Sequence, residues 1–400
     1  MKLLHTADWH LGATLDGATR EEDHRHFLGW LAQALRAHEV EVLIVSGDVF
    51  DSGAPSAEAQ GLYYRFLSDL RGTGLKQVVV VGGNHDSASR LDAPRELLGQ
   101  LGVHVVGGVE GTLERCLCPL RNDSGQVDLV VLAVPFVHEW RLGFRAGGGD
   151  VDTQREAMGA PFRAFYAQLS NLAHERYPDA ALVATGHLAC VGSAADDAPQ
   201  EIHLIGSLGG LPSSIFDPRL RYVALGHIHR AYRVGDTNAH YAGSPIALNV
   251  KEGRSPRTVS LVELRPDGSV AVERLTIPGT RQVLEVRGGM EEVRSALLGL
   301  SWSEAMAPML KVDVQVDSYQ LGIEDAVRRL VEGLRPTPQL VGISQTKARR
   351  EGSGPVLESA PRLADLRPEQ VFALLCEARG ESYEELREAF AALLGQEVAP

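Results

Sequence analysis

The chain has 400 residues, 44% hydrophobic and 23% charged, a globular composition too long for one ordinary core. Its formal net charge of -13 excludes a general coater of nucleic acid, which needs Lys and Arg for phosphate contacts, but not an enzyme that concentrates positive charge locally. No apolar run approaches the roughly 18–20 residues of a membrane span, Asp8 interrupts any signal-peptide core after Met1, and the four cysteines lack metal-binding spacing, so a cytoplasmic protein with reduced thiols is expected.

Strand-like runs alternate with amphipathic segments from Met1 to about Pro278, which predicts an α/β fold with helices covering sheet faces. Lys2–Leu3–Leu4 leads to Asp8 and His10. The segment His26–Ala37 has helical periodicity. Val42–Val45 then runs through Gly47 to Asp48. A second helix is predicted over Ala57–Leu70, and Val78–Val81 leads through Gly82 and Gly83 to Asn84 and His85. Asp92–Leu101 reads as a helix with Pro94 near its start, Val130–Ala133 as a strand, and Gly143–Asp152 as a mobile loop. After a helix over Phe162–Arg176, Leu182–Val183 leads through Gly186 to His187. Tyr222–Leu225 leads through Gly226 to His227 and His229. Beyond that point helices stop, and Ala239–Tyr241, Arg257–Leu264 and Val270–Ile277 read as strands.

Pro278–Gly279 marks the end of this first domain, residues 1–279. Residues 280–351 form a small α+β module. Leu310, Val312, Val314 and Val316 alternate with polar residues as a half-buried strand, between helices at Met290–Leu300 and Ile323–Leu334 and before a strand near Gln339–Ile343. Residues 352–400 comprise a linker and two helices, Pro368–Arg379 and Tyr383–Leu394, the second with a Ser382/Glu385 capping box. Phe372, Leu375, Leu386, Phe390 and Leu393 exceed what a lone hairpin buries, so the tail either docks on the chain itself or binds a partner.

Five strand-like runs thus end in carboxylate, amide or imidazole side chains. If they share one rim, the residues suit two divalent ions and hydrolytic chemistry. The absence of thiolate favours manganese, iron or zinc over copper. A simple division gives one ion Asp8, His10 and His229, the other Asn84, His187 and His227, with Asp48 bridging. Two ions about 3.5–4 Å apart can clamp the oxygens of an in-line phosphoryl displacement. His85 is left free to protonate the leaving oxygen or to stabilise charge on the transition-state phosphate, and Asp51 is expected to hydrogen-bond its imidazole.

The strings DWHLG at Asp8–Gly12, GDVFD at Gly47–Asp51, GNHD at Gly83–Asp86, GH at Gly186–His187 and GHIH at Gly226–His229 resemble the calcineurin-like metallophosphoesterase superfamily. Within it, the opening MKLLHTADWHLG, GNHDSASRL at Gly83–Leu91 and YVALGHIHRAYRV at Tyr222–Val234 are similar to the SbcD family of nuclease subunits, relatives of the Mre nucleases. The resemblance is strong over roughly the first 280 residues and loose beyond. It implies a four-layer αββα sandwich with two manganese ions, and a capping domain that helps hold DNA. It also implies a C-terminal segment that binds an SbcC-type ATPase. The implied activities are 3′→5′ exonuclease action on double-stranded DNA and endonuclease action on single strands and hairpins, in DNA end processing and double-strand break repair. The family's metal ligands carry onto Asp8, His10, Asp48, Asn84, His187, His227 and His229, and its catalytic histidine onto His85. The division over two ions given above agrees with the family's and is not independent of it.

The metal motifs alone do not separate a nuclease from a small-molecule phosphodiesterase or phosphatase, since loops and caps choose the substrate. A non-catalytic scaffold would be expected to lose ligands, and none is missing here. Trp9 reads as a wall of the site, or else as a base-stacking platform. His5 reads as a packed histidine, and His24, His26 and His38 as surface residues. Lys347, Arg349 and Arg350 form a basic cluster able to contact a DNA backbone. Tyr63, Tyr64, Phe66, Leu67 and Leu70 nearly encircle their helix. One side should pack on the sheet; the rest either packs within the same subunit or, with Asp92–Leu101, forms a homodimer interface, as the resemblance implies.

Overall fold

The computed structural model describes residues 1–122, 124–144, 151–191, 210–302 and 305–347, with 372–373, 375–376, 382–383, 386–387 and 390 of the tail. The chain divides into two compact units, Met1–Gln315 with Tyr319–Thr346, and Val316–Ser318 with Lys347–Pro400.

Two six-stranded sheets organise the first unit. In the first sheet, Lys2–Thr6, Val42–Ser46, Gln77–Val81 and Val103–Val106 run parallel in that order. Thr258–Leu264 and then Val270–Thr276 extend it antiparallel beyond Lys2–Thr6. The second sheet has the order Tyr232–Arg233, Ala239–Tyr241, Leu220–Gly226, Ala181–His187, Val127–Leu132 and Leu117–Arg121. Every residue of Val42–Ser46 is buried, because both faces of the sheet are covered. Val42 and Ile44 belong to the core shared with the second sheet, including Val131, Val183 and Tyr222. Leu43 and Val45 point the other way, into a core with Phe27 and Leu31 of helix Glu21–Ala37 and Phe66 of helix Ala57–Asp69. Helix Val151–Arg176 supplies Phe162, Phe165 and Leu169 to the core of the second sheet. The layers are therefore helix, sheet, sheet and helix, the expected αββα sandwich.

Several elements depart from their sequence expectation. The predicted helix at Asp92–Leu101 is two short helices, Ala88–Asp92 and Arg95–Gly99. Pro94, which has no N–H, sits between them as the N-cap of the second. Helix Val151–Arg176 starts earlier than expected and includes Pro161. Strand Leu117–Arg121 is not among the expected strands; it contains Pro119 and pairs at the sheet edge, where a missing N–H is tolerated.

Residues on both sides of the 279/280 boundary belong to the first unit. There the α+β module forms a three-stranded sheet of Val283–Gly288, Met309–Val316 and Gln339–Lys347 with helices Met290–Leu298 and Ile323–Glu332. Arg281 joins it to helix Glu21–Ala37 through Glu22 and through Asp23, whose Oδ2 lies 3.2 Å from the guanidinium Nε. Leu15, Ala247, Val283 and Met309 make a small apolar cluster at this junction. In the second unit the Phe372 and Phe390 rings stack at 3.9 Å. Among the described residues no helix is long and apolar enough to cross a membrane.

Candidate metal centre

The predicted ligands follow five strands whose ends meet at one rim. Main-chain bonds hold the first loops together: Asp8 N donates to Gly47 O at 3.0 Å, and His10 N to Asp48 O at 3.0 Å. The loops turn so sharply that four non-glycine residues there have left-handed backbone. These are Asp8 (φ 53°), His10 (48°), Asp48 (49°) and His227 (91°). Such conformations cost of order 1–3 kcal/mol each and persist where surrounding structure enforces them.

The enforcement is visible at the glycines. A Cβ on Gly83 would collide with the Asp48 carboxylate, and one on Gly226 with the carbonyl of Ser46. Only hydrogen at these positions lets the ligand-bearing loops approach. Asp86, the last residue of GNHD, accepts the N–H groups of Val49 (3.1 Å), Phe50 (2.9 Å) and Gly83 (2.9 Å) and so clasps two loops. Burial, with Asp48 adding its charge, pushes its carboxyl upward.

Asp8, His10 and His229 bring donor atoms within 4.8 Å of one another, as do Asp8, Asp48 and His187. Asn84 Oδ1 lies 3.0 Å from His187 Nε2 and 2.9 Å from His227 Nδ1. Asp48 Oδ2 stands between the groups, 3.5 Å from His10 Nε2 and 3.3 Å from His187 Nε2. All seven predicted ligands are thus brought together, and Asp48 occupies the shared position. Burial of the Asp48 carboxylate opposes its ionisation, yet His187 and His10 hold it below the usual range. Burial likewise works against a charged His187, but Asp48 raises it to about 9. Burial and then His187 lower His227 to about 3. Burial raises Asp8 above its ordinary value, and the neighbouring Asp48 adds to the rise.

The donor set fits divalent ions. Asp8 Oδ2 and His10 Nε2 are buried with no hydrogen-bond partner, an arrangement that costs stability unless a cation takes the lone pairs. The imidazoles are also preset. Nδ1 of His187 donates to Ser46 O at 2.8 Å and Nδ1 of His10 faces Asp51 Oδ1 at 3.1 Å, leaving Nε2 of each ring for a ligand role.

Three expectations change. The Asp51 carboxylate reaches His10 rather than His85, whose Nδ1 donates instead to the Asp51 carbonyl at 2.9 Å. Trp9 does not line the site: it is buried in the helix-side core, edge-on to Phe27 and Phe66, with Nε1 donating to Thr6 Oγ1. His24 is buried, not on the surface, and its Nε2 donates to the carbonyl of Trp9 at 2.8 Å. Glu252 carries no signal in the sequence, although its Oε1 lies 3.0 Å from His229 Nδ1. Lys347 is exposed at a strand end, while Arg349, Arg350 and Leu393 lie outside the described residues.

A family model for the calcineurin-like phosphoesterases matches residues 1–231. The chain belongs to this family. Membership and the clustered donors make it a metal-dependent phosphodiesterase. It is 35% identical over 386 residues to the SbcD subunit of the SbcCD nuclease from Rhodobacter capsulatus, covering 93% of this chain and 94% of that one. The Escherichia coli K12 protein of the same name is 33% identical, with 93% and 92% covered. The Bacillus subtilis counterpart is 29% identical, over 74% of this chain and 75% of its own.

Proposed function

We propose that this chain is a manganese-dependent DNA nuclease that works in the cytoplasm with an SbcC-type ATPase to process DNA ends, in break repair. The observation that carries the reading is the intact rim of seven donors with the exposed His85 beside it, in a chain that aligns along more than nine-tenths of two proteins named as SbcCD nuclease subunits. The proposed activities are 3′→5′ exonuclease action on duplex ends and endonuclease action on single strands and hairpins.

Asp8, His10 and His229 would hold one ion, Asn84, His187 and His227 the other, and Asp48 both. Two such ions supply Lewis-acid stabilisation of charge on the transferring phosphoryl group. The chain's own part is positioning and proton transfer. Because the Asp51 carbonyl can only accept, His85 carries a proton on Nδ1, and its Nε2 is the atom free to exchange one with the leaving oxygen. The His10 ring, edge-on at 4.8 Å, restricts the His85 ring from the side.

The residues around the centre give the substrate reading its form. The module over residues 280–351 is assigned to DNA holding, with Lys347, Arg349 and Arg350 as backbone contacts. The tail over residues 352–400 is assigned to the ATPase through Phe372, Leu375, Leu386, Phe390 and Leu393; Leu375 and Leu386 are exposed. Tyr63, Phe66 and Leu67 are buried within the protomer, which leaves Tyr64, Leu97 and Leu101 as the exposed apolar face for a homodimer.

The test is manganese-dependent cleavage of end-labelled linear and hairpin DNA, beside a chromogenic phosphodiester. Asp48→Ala is expected to lose both metal and cleavage. His85→Ala should keep its manganese while cleavage falls about 10²–10⁴-fold. Turnover of the small ester with DNA left intact, even with the ATPase and ATP present, would make the chain a small-molecule phosphodiesterase instead.

A further inference from the structure

We propose that Glu252 is the positioning residue for His229, and that the turn carrying it ties one half of the metal centre to the cap module. The inference rests on the metal-site reading above and names a residue outside the seven donors.

Glu252 is buried, and its carboxylate is fully engaged. Oε1 accepts from His229 Nδ1 at 3.0 Å and from Asn249 Nδ2 at 2.5 Å, and Oε2 accepts from the main-chain N of Leu248 at 3.0 Å. Arg257, also buried, places Nη1 3.7 Å from Oε2 and donates through the same nitrogen to the His229 carbonyl at 3.2 Å. A second donor to that carbonyl is Ser244 N, at 3.1 Å. Both the ring and the main chain of His229 are therefore held from one segment, Ser244 to Arg257. A carboxylate without a proton only accepts, so it fixes the His229 proton on Nδ1 and leaves the Nε2 lone pair for the group formed with Asp8 and His10. The partner of His10 in the same triad is different in kind, since the Asp51 side chain is 44% exposed and open to water.

The turn is itself seated on the cap. Gly253 follows Glu252 directly, and a Cβ there would lie 2.5 Å from the Val283 carbonyl and 3.1 Å from Val283 Cβ. Val283 opens the first cap strand and packs with Leu15, Ala247 and Met309. A shift of that strand must move the Glu252 turn, and through it the orientation of one ligand of one ion.

Manganese titration of the full chain by calorimetry reads this directly, without substrate. The unaltered chain is expected to take up two ions. Glu252→Ala should weaken one of them about 10–100-fold and leave the other unchanged. Glu252→Gln, which keeps the shape and an acceptor, should fall between the two and serves if the alanine variant does not fold. Gly253→Ala should weaken the same ion by a smaller factor, with Glu252 untouched. Two ions at unaltered affinity in Glu252→Ala or, if that chain does not fold, in Glu252→Gln overturn the positioning role, and unaltered affinity in Gly253→Ala overturns the link to the cap. Failure of the unaltered chain to bind manganese would overturn the metal-site reading itself, and this proposal with it.

Discussion

The loops leaving the first sheet bind one another through the main chain, whereas the histidines arriving from the second sheet are held by partners elsewhere in the sequence. Asp8, His10 and Asp48 sit on a ladder of main-chain hydrogen bonds between their loops, and Asp86 closes that ladder by accepting three further N–H groups. His187, by contrast, depends on the carbonyl of Ser46 across the sandwich, and His229 on Glu252. One half of the centre is thus a rigid unit, and the other half is correct only if the two sheets and the Ser244–Arg257 segment are in register. The comparison predicts that damage between the sheets outweighs damage within either one.

The largest effect is therefore expected at Gly226, where the sheets touch. A methyl group there meets the Ser46 carbonyl, and it also comes within 3.0 Å of Ala7 Cβ and 2.8 Å of His187 Nδ1. Main chain cannot rotate aside as a side chain can. Gly226→Ala should lose about 3 kcal/mol of stability, the upper part of the range for overpacking, and should bind manganese poorly. Urea denaturation of the metal-free chain measures the first effect and calorimetry the second. A variant within about 0.5 kcal/mol of the parent would show that the sheet ends yield, and the dependence of the centre on register between the sheets would fall.

Asp86→Ala tests the first half alone. It removes the acceptor for three N–H groups on two loops, and buried donors left without partners cost about 1–3 kcal/mol each when water cannot reach them. Part of this is recovered by relaxation, so a net loss of about 2 kcal/mol is expected, with cleavage falling because Asn84 and His85 share the loop. Unchanged stability would mean that main-chain pairing between the loops suffices without the clasp.

The same contrast decides what was legible in the sequence. The donors could be read because each follows an apolar run of strand length, and a parallel sheet delivers all such ends to one edge. The unbroken apolar run Val42–Val45 likewise foretells a strand covered on both faces. Asp86 and Glu252 could not be read by the same means. Asp86 is indistinguishable in sequence from a ligand in GNHD, and two of its partners are 36 and 37 residues away. Glu252 lies 23 residues past His229 in a segment without strand or helix periodicity, so nothing local announces the pairing. Trp9 failed for a related reason. A residue between two ligands looks solvent-facing until the left-handed turn at Asp8 and His10 rotates it into the helix-side core. His24 failed because its partner, the Trp9 carbonyl, is set by the same turn.

The smallest effect probes the contact between the sheets away from the metals. His5, on the first sheet, pairs Nδ1 with the Tyr222 hydroxyl of the second at 2.9 Å. Burial lowers its pKa to about 3, with His240 adding to the shift. His24 and His240 are each lowered by burial to about 4. All three titrate near 6.5 when the chain unfolds. The unfolded state therefore takes up protons first, so stability is complete above pH 6.5 and declines as the pH falls toward the folded values. His5→Gln retains a hydrogen-bonding side chain but cannot be protonated. Its loss of stability between about pH 7.5 and pH 5.8 should be shallower than the parent's by about 1 kcal/mol. Thermal melts across that range give the slope. Parallel slopes for parent and variant would mean that His24, His240 and the carboxylates carry the acid sensitivity. The contact between His5 and Tyr222 would then hold the sheets without storing a proton-linked penalty.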